Sequence, residues 1–231
     1  MNGITGFTSG INWSGMLSFV LKIAAVLLCI VVHEVCHGLA AYWLGDPTAK
    51  RSHRLSLNPI RHIDLFGLIM MAVAGFGWAK PVPIDPRYFK KPKSGMAITA
   101  LAGPVSNLLL AFLSAILING AIGVAVTRGY GVGLQSFAQF LYMLMSLSIG
   151  LGIFNLIPFP PLDGAKILGV FLPSKTYFQL MRYEQYGMLL LIALLWFGWL
   201  DVPLYAVRSW LFNWMMNATS FAQGLAAGLV R

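Results

Sequence analysis

The chain has 231 residues, 58% of them hydrophobic and only 10% charged, with a mean hydropathy of +0.75. A soluble domain carries about 25% charged residues, so this balance excludes an ordinary water-soluble fold and leaves room for roughly four to six membrane segments of ~20 residues. The formal net charge of +9 argues for membrane topology and not for nucleic acid, because most of the 16 Lys and Arg cluster in loops between apolar runs.

The N-terminus lacks a basic segment followed by a small-residue cleavage site, so no signal peptide is expected. The first apolar span runs from about Gly15 to Gly45 and is interrupted only by Lys22, which can snorkel to one interface. Its second half contains His33-Glu34-Val35-Cys36-His37. On a helix, residues i and i+4 project from one face, so both imidazoles can reach a single divalent ion. Glu34 sits about 100° from His33 and about 60° from His37, beside that face and free to act as general base towards a metal-bound water. Cys29 and Cys36 are about 10 Å apart along such a helix, too far for a disulfide. Both read as small apolar residues, with redox sensing or alternative ligation by Cys36 the less favoured role.

Asp46 to Asp64 carries Lys50, Arg51, Arg54 and Arg61 and is expected on the cytoplasmic side, which puts the His pair in the cytoplasmic half of the bilayer. His53 and His62 belong to this basic loop and are expected to serve its structure, not the metal. The apolar, Gly-rich stretch Leu65 to Ala79 is too short to span, and basic residues flank it on both sides. Residues 65–94 are therefore expected to form a re-entrant element of short β-strands, with a short tilted helix as the alternative. Met96 to Val126 should cross outwards and Thr127 to Gly133 should turn outside. Leu134 to Pro158 should cross back, breaking at Pro158, Pro160 and Pro161, and Leu162 to Leu172 should resume as a half-helix. Lys175 and Arg182 mark a further cytoplasmic loop, and Tyr186 to Leu200 is the expected fourth crossing. The tail beyond Asp201, with Arg208, Trp210 and Trp214, reads equally as a fifth span or an interfacial helix. The expected fold is an α-helical polytopic membrane protein of about four core transmembrane helices plus the re-entrant β-element and that C-terminal helix. It forms one domain over residues 1–231, with a core at about 15–200 and a tail at about 201–231.

Two imidazoles leave a catalytic zinc short of one protein ligand. Of the acids other than Glu34, only Asp163 sits at a broken helix deep in an apolar region. A carboxylate there costs roughly 2.5–3.5 kcal/mol unless a charge such as a divalent metal offsets it. Capping the half-helix after the Pro-rich turn is the plain alternative; the His pair in the same membrane favours ligation.

The chain resembles the site-2 protease family of intramembrane zinc metalloproteases. The likeness rests on His33-Glu34-x-x-His37, on Asn155-Leu156-Ile157-Pro158-Phe159-Pro160-Pro161-Leu162-Asp163-Gly164 and on Gly77-Trp78-Ala79-Lys80-Pro81-Val82-Pro83. Leu57-Asn58-Pro59 with His62-Ile63-Asp64, and Gly103-Pro104-x-x-Asn107, add to it. The resemblance implies one Zn²⁺ per chain held by His33, His37 and Asp163, with Glu34 as base. It implies that Asn107 stabilises the oxyanion or positions the scissile peptide and that Asn155 contacts substrate. Substrate is expected to meet Gly77, Trp78 and Lys80 as a strand added to the re-entrant element. Both Asn residues keep the alternative of hydrogen-bonding between helices. The implied partners are a transmembrane protein substrate, the lipid bilayer and a regulatory membrane protein. The implied place is a bacterial or archaeal plasma membrane, multi-pass, with the site towards the cytoplasm. The sequence has no room for the peptide-binding or nucleotide-sensing modules of larger members, so a minimal catalytic core is expected. A metal transporter and a catalytically silent relative that binds partners are the rival readings.

Overall fold

The computed structural model describes residues 13–64, 80–182 and 184–230. Three helices dominate it: α1 at Trp13–Trp43, α3 at Pro92–Arg128 and α4 at Val132–Leu156, with the short α2 at Thr48–Arg51 between the first two. All three are long and apolar enough to cross a membrane, and they coincide with the first three expected crossings. The protein is thus a helical integral membrane protein. Pro92 opens α3, where its missing N–H costs nothing, and Gly129 closes it at φ 79°, a left-handed conformation that favours glycine.

Water gives no drive for helix association inside lipid, so close packing must supply it, and small residues permit that. Ala111, Ala115 and Ile118 of α3 bury against Leu141, Met145 and Ile149 of α4. Gly152 lets α4 approach the Pro104 carbonyl of α3, to which an added Cβ would come within 3.2 Å. α1 joins through Ala25 and Cys29 against Leu144, and the Cys29 thiol lies 3.1 Å from the Ser148 hydroxyl. Cys29 and Cys36 are both free.

After Leu156 the chain turns through Pro158, Pro160 and Pro161, with a cis bond between the last two, into the one-and-a-half-turn helix α5 at Asp163–Leu168. Gly164 lies against the carbonyls of Leu156 and Ile157, where a Cβ has no room. α6 at Ser174–Arg182 and α7 at Glu184–Trp196 lead to α8 at Asp201–Ala218 and α9 at Phe221–Leu229.

The expected fourth crossing at Tyr186 to Leu200 becomes α7, 13 residues long and so about 20 Å, short of a ~30 Å hydrocarbon core. Its part from Tyr186 and α8 meet at an 81° bend. The tail is not a detached helix. α8 runs along α4, with Tyr142 and Phe212 stacked at 6.2 Å and Arg208 donating to Ser146. α9 follows α3, where the Gln223 carbonyl leaves no space for a Cβ at Gly123. Asn119 of α3 secures the junction by donating to the Met216 carbonyl at 3.0 Å and the Thr219 hydroxyl at 2.8 Å.

Of the expected re-entrant element, residues 65–79 lie outside the described residues, and Gly77 and Trp78 with them. Residues 80–94 contain no strand. They form an irregular strap over 80–85, a 3₁₀ turn at Pro86–Tyr88 and the start of α3. Asp85 caps that turn by accepting from the Arg87 N–H at 3.0 Å. The Arg87 guanidinium also donates to both Asp85 oxygens, which holds this surface carboxyl below its ordinary range.

Candidate active site

The last three turns of α1, the N-terminal turns of α3 and the start of α5 meet at one end of the bundle. There His33 and His37 of α1 and Asp163 of α5 converge, all three buried, and among the described residues they form the one group of three or more potential metal ligands. The two Nε2 atoms are 3.0 Å apart, and one Asp163 oxygen lies 3.2 Å from His33 and 3.1 Å from His37. A tetrahedral zinc with bonds of about 2.0–2.1 Å holds its ligand atoms about 3.3 Å apart, so this triangle fits one.

The rings are held from behind. The His37 Nδ1–H donates to the Thr99 carbonyl at 2.7 Å, which fixes the tautomer whose Nε2 lone pair faces the centre. Asn107 is fully buried, with its amide nitrogen 3.3 Å from His33 Nδ1 and its oxygen Oδ1 without a partner. Gly103, one turn before Asn107, bears directly on the imidazoles: a Cβ there would sit 2.5 Å from His37 Nε2 and 2.7 Å from His33 Cε1.

In front of the triangle lies a cavity of about 190 Å³ lined by Glu34, Val82, Asn155 and Lys166 together with the three converging side chains. Glu34 accepts the Val82 N–H at 2.9 Å. Lys166, one turn after Asp163, reaches the other Asp163 oxygen at 3.4 Å. Asn155 lines the cavity from the end of α4, where its amide donates to the Leu151 carbonyl at 3.0 Å.

Most residues singled out from the sequence therefore meet, but not all in the expected places. Asn107 lies behind His33 and does not line the cavity. Lys80 has an exposed side chain that faces a separate pocket with Arg54 and Arg61. His62 is buried on its own loop, its Nε2–H donating to the Ser56 carbonyl at 2.7 Å, and neither it nor His53 joins the triangle. Cys36 also stands outside the triangle. The strap offers little to an added strand between residues 80 and 83. Pro81 and Pro83 have no N–H, the Val82 N–H is on Glu34 and the Lys80 N–H is on the His62 carbonyl at 2.9 Å. The parts played by the Thr99 carbonyl, the Val82 N–H and Lys166 were not foreseen. The first two act through backbone atoms and leave no side-chain signal, whereas the i+3 spacing of Lys166 to Asp163 is a signal that could have found it.

An apolar helical bundle that buries two imidazoles and a carboxylate around one point, with a second carboxylate in the same cavity, defines a membrane metalloenzyme. Comparison with known proteins gives the family. Residues 118–198 match the model of Peptidase family M50. The chain is 40% identical over 174 residues to YwhC of Bacillus subtilis (strain 168), named as a zinc metalloprotease, covering 74% of this chain and 78% of that one. It is 28% identical over 183 residues to Rip2 of Mycolicibacterium smegmatis, covering 77% and 67%. To MJ0611 of Methanocaldococcus jannaschii it is 29% identical over 155 residues, covering 66% and 71%. Both of these are likewise named as zinc metalloproteases. No solved structure matches. The chain belongs to Peptidase family M50, the site-2 protease family: it is a zinc metalloprotease of the lipid bilayer, with Zn²⁺ as its cofactor.

Proposed function

We propose that the protein is an intramembrane endopeptidase that hydrolyses peptide bonds within or next to the transmembrane segments of membrane-protein substrates. The observation that carries this reading is the convergence of His33, His37 and Asp163 inside an apolar bundle with Glu34 lining the same cavity. Lys50, Arg51, Arg61, Lys90, Lys91 and Lys93 flank the elements that carry the site, which supports a reading in which that end faces the cytoplasm; the membrane proposed is a bacterial or archaeal plasma membrane. The chain crosses that membrane several times, and residues 1–231 work as one catalytic domain.

His33 Nε2, His37 Nε2 and an Asp163 oxygen would hold the zinc, which when bound would supply a Lewis acid and acidify water at the site. Glu34 would take a proton from the attacking water and return it to the departing amine. A neutral His33 whose Nε2 faces the centre carries its proton on Nδ1, and that proton needs an oxygen. Turning the Asn107 amide about its Cβ–Cγ bond puts Oδ1 there and gives the orphaned oxygen its partner. Asn107 then orients His33 from behind instead of touching an oxyanion. Lys166 engages one Asp163 oxygen and leaves the other to the centre. Asn155, on the cavity wall, contacts the substrate peptide, and Gly77, Trp78 and Lys80 are assigned to substrate binding with it. The substrate helix, already shortened by another protease, unwinds locally so that an extended stretch reaches the cavity. A regulatory membrane partner or the membrane domain itself selects it.

The test pairs the purified wild type with Glu34→Gln in detergent, scoring zinc per chain and cutting of designed transmembrane substrates. The expected result is about one zinc in both and a rate about 10²–10⁴-fold lower in the variant. Zinc in both with no cutting by either points to a silent partner-binding relative or a transporter. No zinc in either removes the site.

A further inference from the structure

The loop that follows α1 contains two buried charged side chains, Asp46 and Arg54, for which no ion pair is found among the described residues. Asp46 is 0% exposed and Arg54 is 7% exposed. Both reach the strap with hydrogen bonds. The Arg54 Nη2 donates to the Lys80 carbonyl at 2.6 Å and the Pro81 carbonyl at 3.0 Å. Asp46 accepts the Asp85 N–H at 2.7 Å with one oxygen, while its other oxygen takes the Thr48 N–H at 2.9 Å and the Thr48 hydroxyl. The strap is thus clasped at both ends, and midway between the clasps the Val82 N–H reaches Glu34.

The composition of the strap makes this arrangement specific. Between Pro81 and Pro83, Val82 alone has an N–H, and that one donor is aimed at the carboxylate. Val82 is itself buried, its side chain wedged beside Gly38 one residue past His37. Burying a guanidinium and a carboxylate is costly unless they are hydrogen-bonded, and three of the backbone partners here, the Lys80 and Pro81 carbonyls and the Asp85 N–H, belong to the strap.

We propose that Arg54 and Asp46 are positioning residues for the catalytic base: they fix strap 80–85 so that the Val82 N–H orients the Glu34 carboxylate towards the metal cavity. The inference rests on Glu34 being the base and extends that reading to residues on a different loop. The strap is accordingly part of the resting catalytic geometry and not only a wall of the cavity. Outer groups of this kind, when removed, cost about 10–100-fold in activity or metal affinity.

The experiment uses the full chain in detergent with Arg54→Gln, Arg54→Lys, Val82→Pro and the double variant Arg54→Gln/Val82→Pro, plus Arg87→Gln as a control. Arg87 pairs with Asp85 at the surface and is expected to leave turnover unchanged. Zinc content, kcat and KM are measured on a designed transmembrane substrate. Full zinc, a kcat about 10–100-fold lower in Arg54→Gln and in Val82→Pro, and a KM within about twofold are the expected results. Arg54→Lys keeps one of the two carbonyl contacts and recovers part of the loss. The double variant is no slower than the worse single one, because both act through the same hydrogen bond. Unchanged kcat in Arg54→Gln, multiplying losses in the double variant, or a rise in KM alone would overturn the proposal; the last would make the strap a substrate support. Should Arg54→Gln fail to accumulate, Arg54→Lys carries the same outcomes. A second readout needs no turnover. Amide exchange at Val82 should quicken about tenfold or more in both Arg54→Gln and Glu34→Ala. If the wild type holds zinc and cuts nothing, the protease reading fails; exchange that stays slow in Arg54→Gln defeats the positioning role separately.

Discussion

The two ends of the helical bundle are held together by different forces. At the far end, α3, α4 and α8 meet through Ala115, Ile118, Leu141, Met145 and Met215, apolar side chains packed on one another. At the site end, long-range hydrogen bonds tie His33, Glu34, His37 and Asp163 to groups on other elements. Packing tolerates small losses because many weak contacts share the load. A directed network does not, since one missing donor leaves a buried group without a partner. The difference teaches where this enzyme stores its function: in a few atoms at one end of a scaffold built by hydropathy.

The sharpest way to test that contrast is a pair of glycines on the same helix. Gly103→Ala drives a methyl group into both imidazoles and should abolish zinc binding and activity, measured by metal content and substrate cleavage. Gly120→Ala meets nothing within 4 Å and should leave both intact, with a stability gain of about 0.5–1 kcal/mol from helix propensity. Next in size is Ile118→Ala, which removes a fully buried side chain at the far end. It should cost about 2–5 kcal/mol of stability, read as a lower melting temperature in detergent, while zinc content stays full. Asn107→Ala should reverse that pattern, weakening zinc about 10–100-fold with a small change in melting temperature, and Asn107→Asp, which keeps an oxygen for His33, should restore much of it. The smallest effect is expected from Asn119→Ala, which loses two bonds to the α8–α9 junction and should cost about 0.6–2 kcal/mol with no change in zinc affinity. A large loss of zinc in Ile118→Ala or Asn119→Ala would show that the two ends are not separable.

What could be read from the sequence follows the same division. Hydropathy located α1, α3 and α4, because each is a long apolar run, and the i, i+4 spacing together with an isolated acid at a Pro-rich break brought out His33, His37 and Asp163. The boundary at Asp201 was legible, whereas the earlier end of α7 at Trp196 and the 81° bend escaped, since Phe197, Trp199 and Leu200 keep the profile apolar through a break closed by Gly198 at φ 69°. The backbone partners escaped as well: the Thr99 carbonyl and the Val82 N–H look like any others until tertiary structure places them. Arg54 read as a topology charge among Lys50, Arg51 and Arg61, and only its burial distinguishes it. Asn107 was recognised as a site residue, while its position behind the imidazole depends on which face of α3 meets α1.

The hydrogen bonds from Asp46 and Arg54 to backbone groups of residues 80, 81 and 85 also bear on how this region can change between relatives. Because the clasps read main-chain atoms, they place no demand on the exposed Lys80 side chain, whereas Val82, buried beside Gly38, is held by its packing. The loop and the strap therefore form an exchangeable cassette. Exchanged together they keep the bonds they make to each other, whereas either one transplanted alone brings half of a lock.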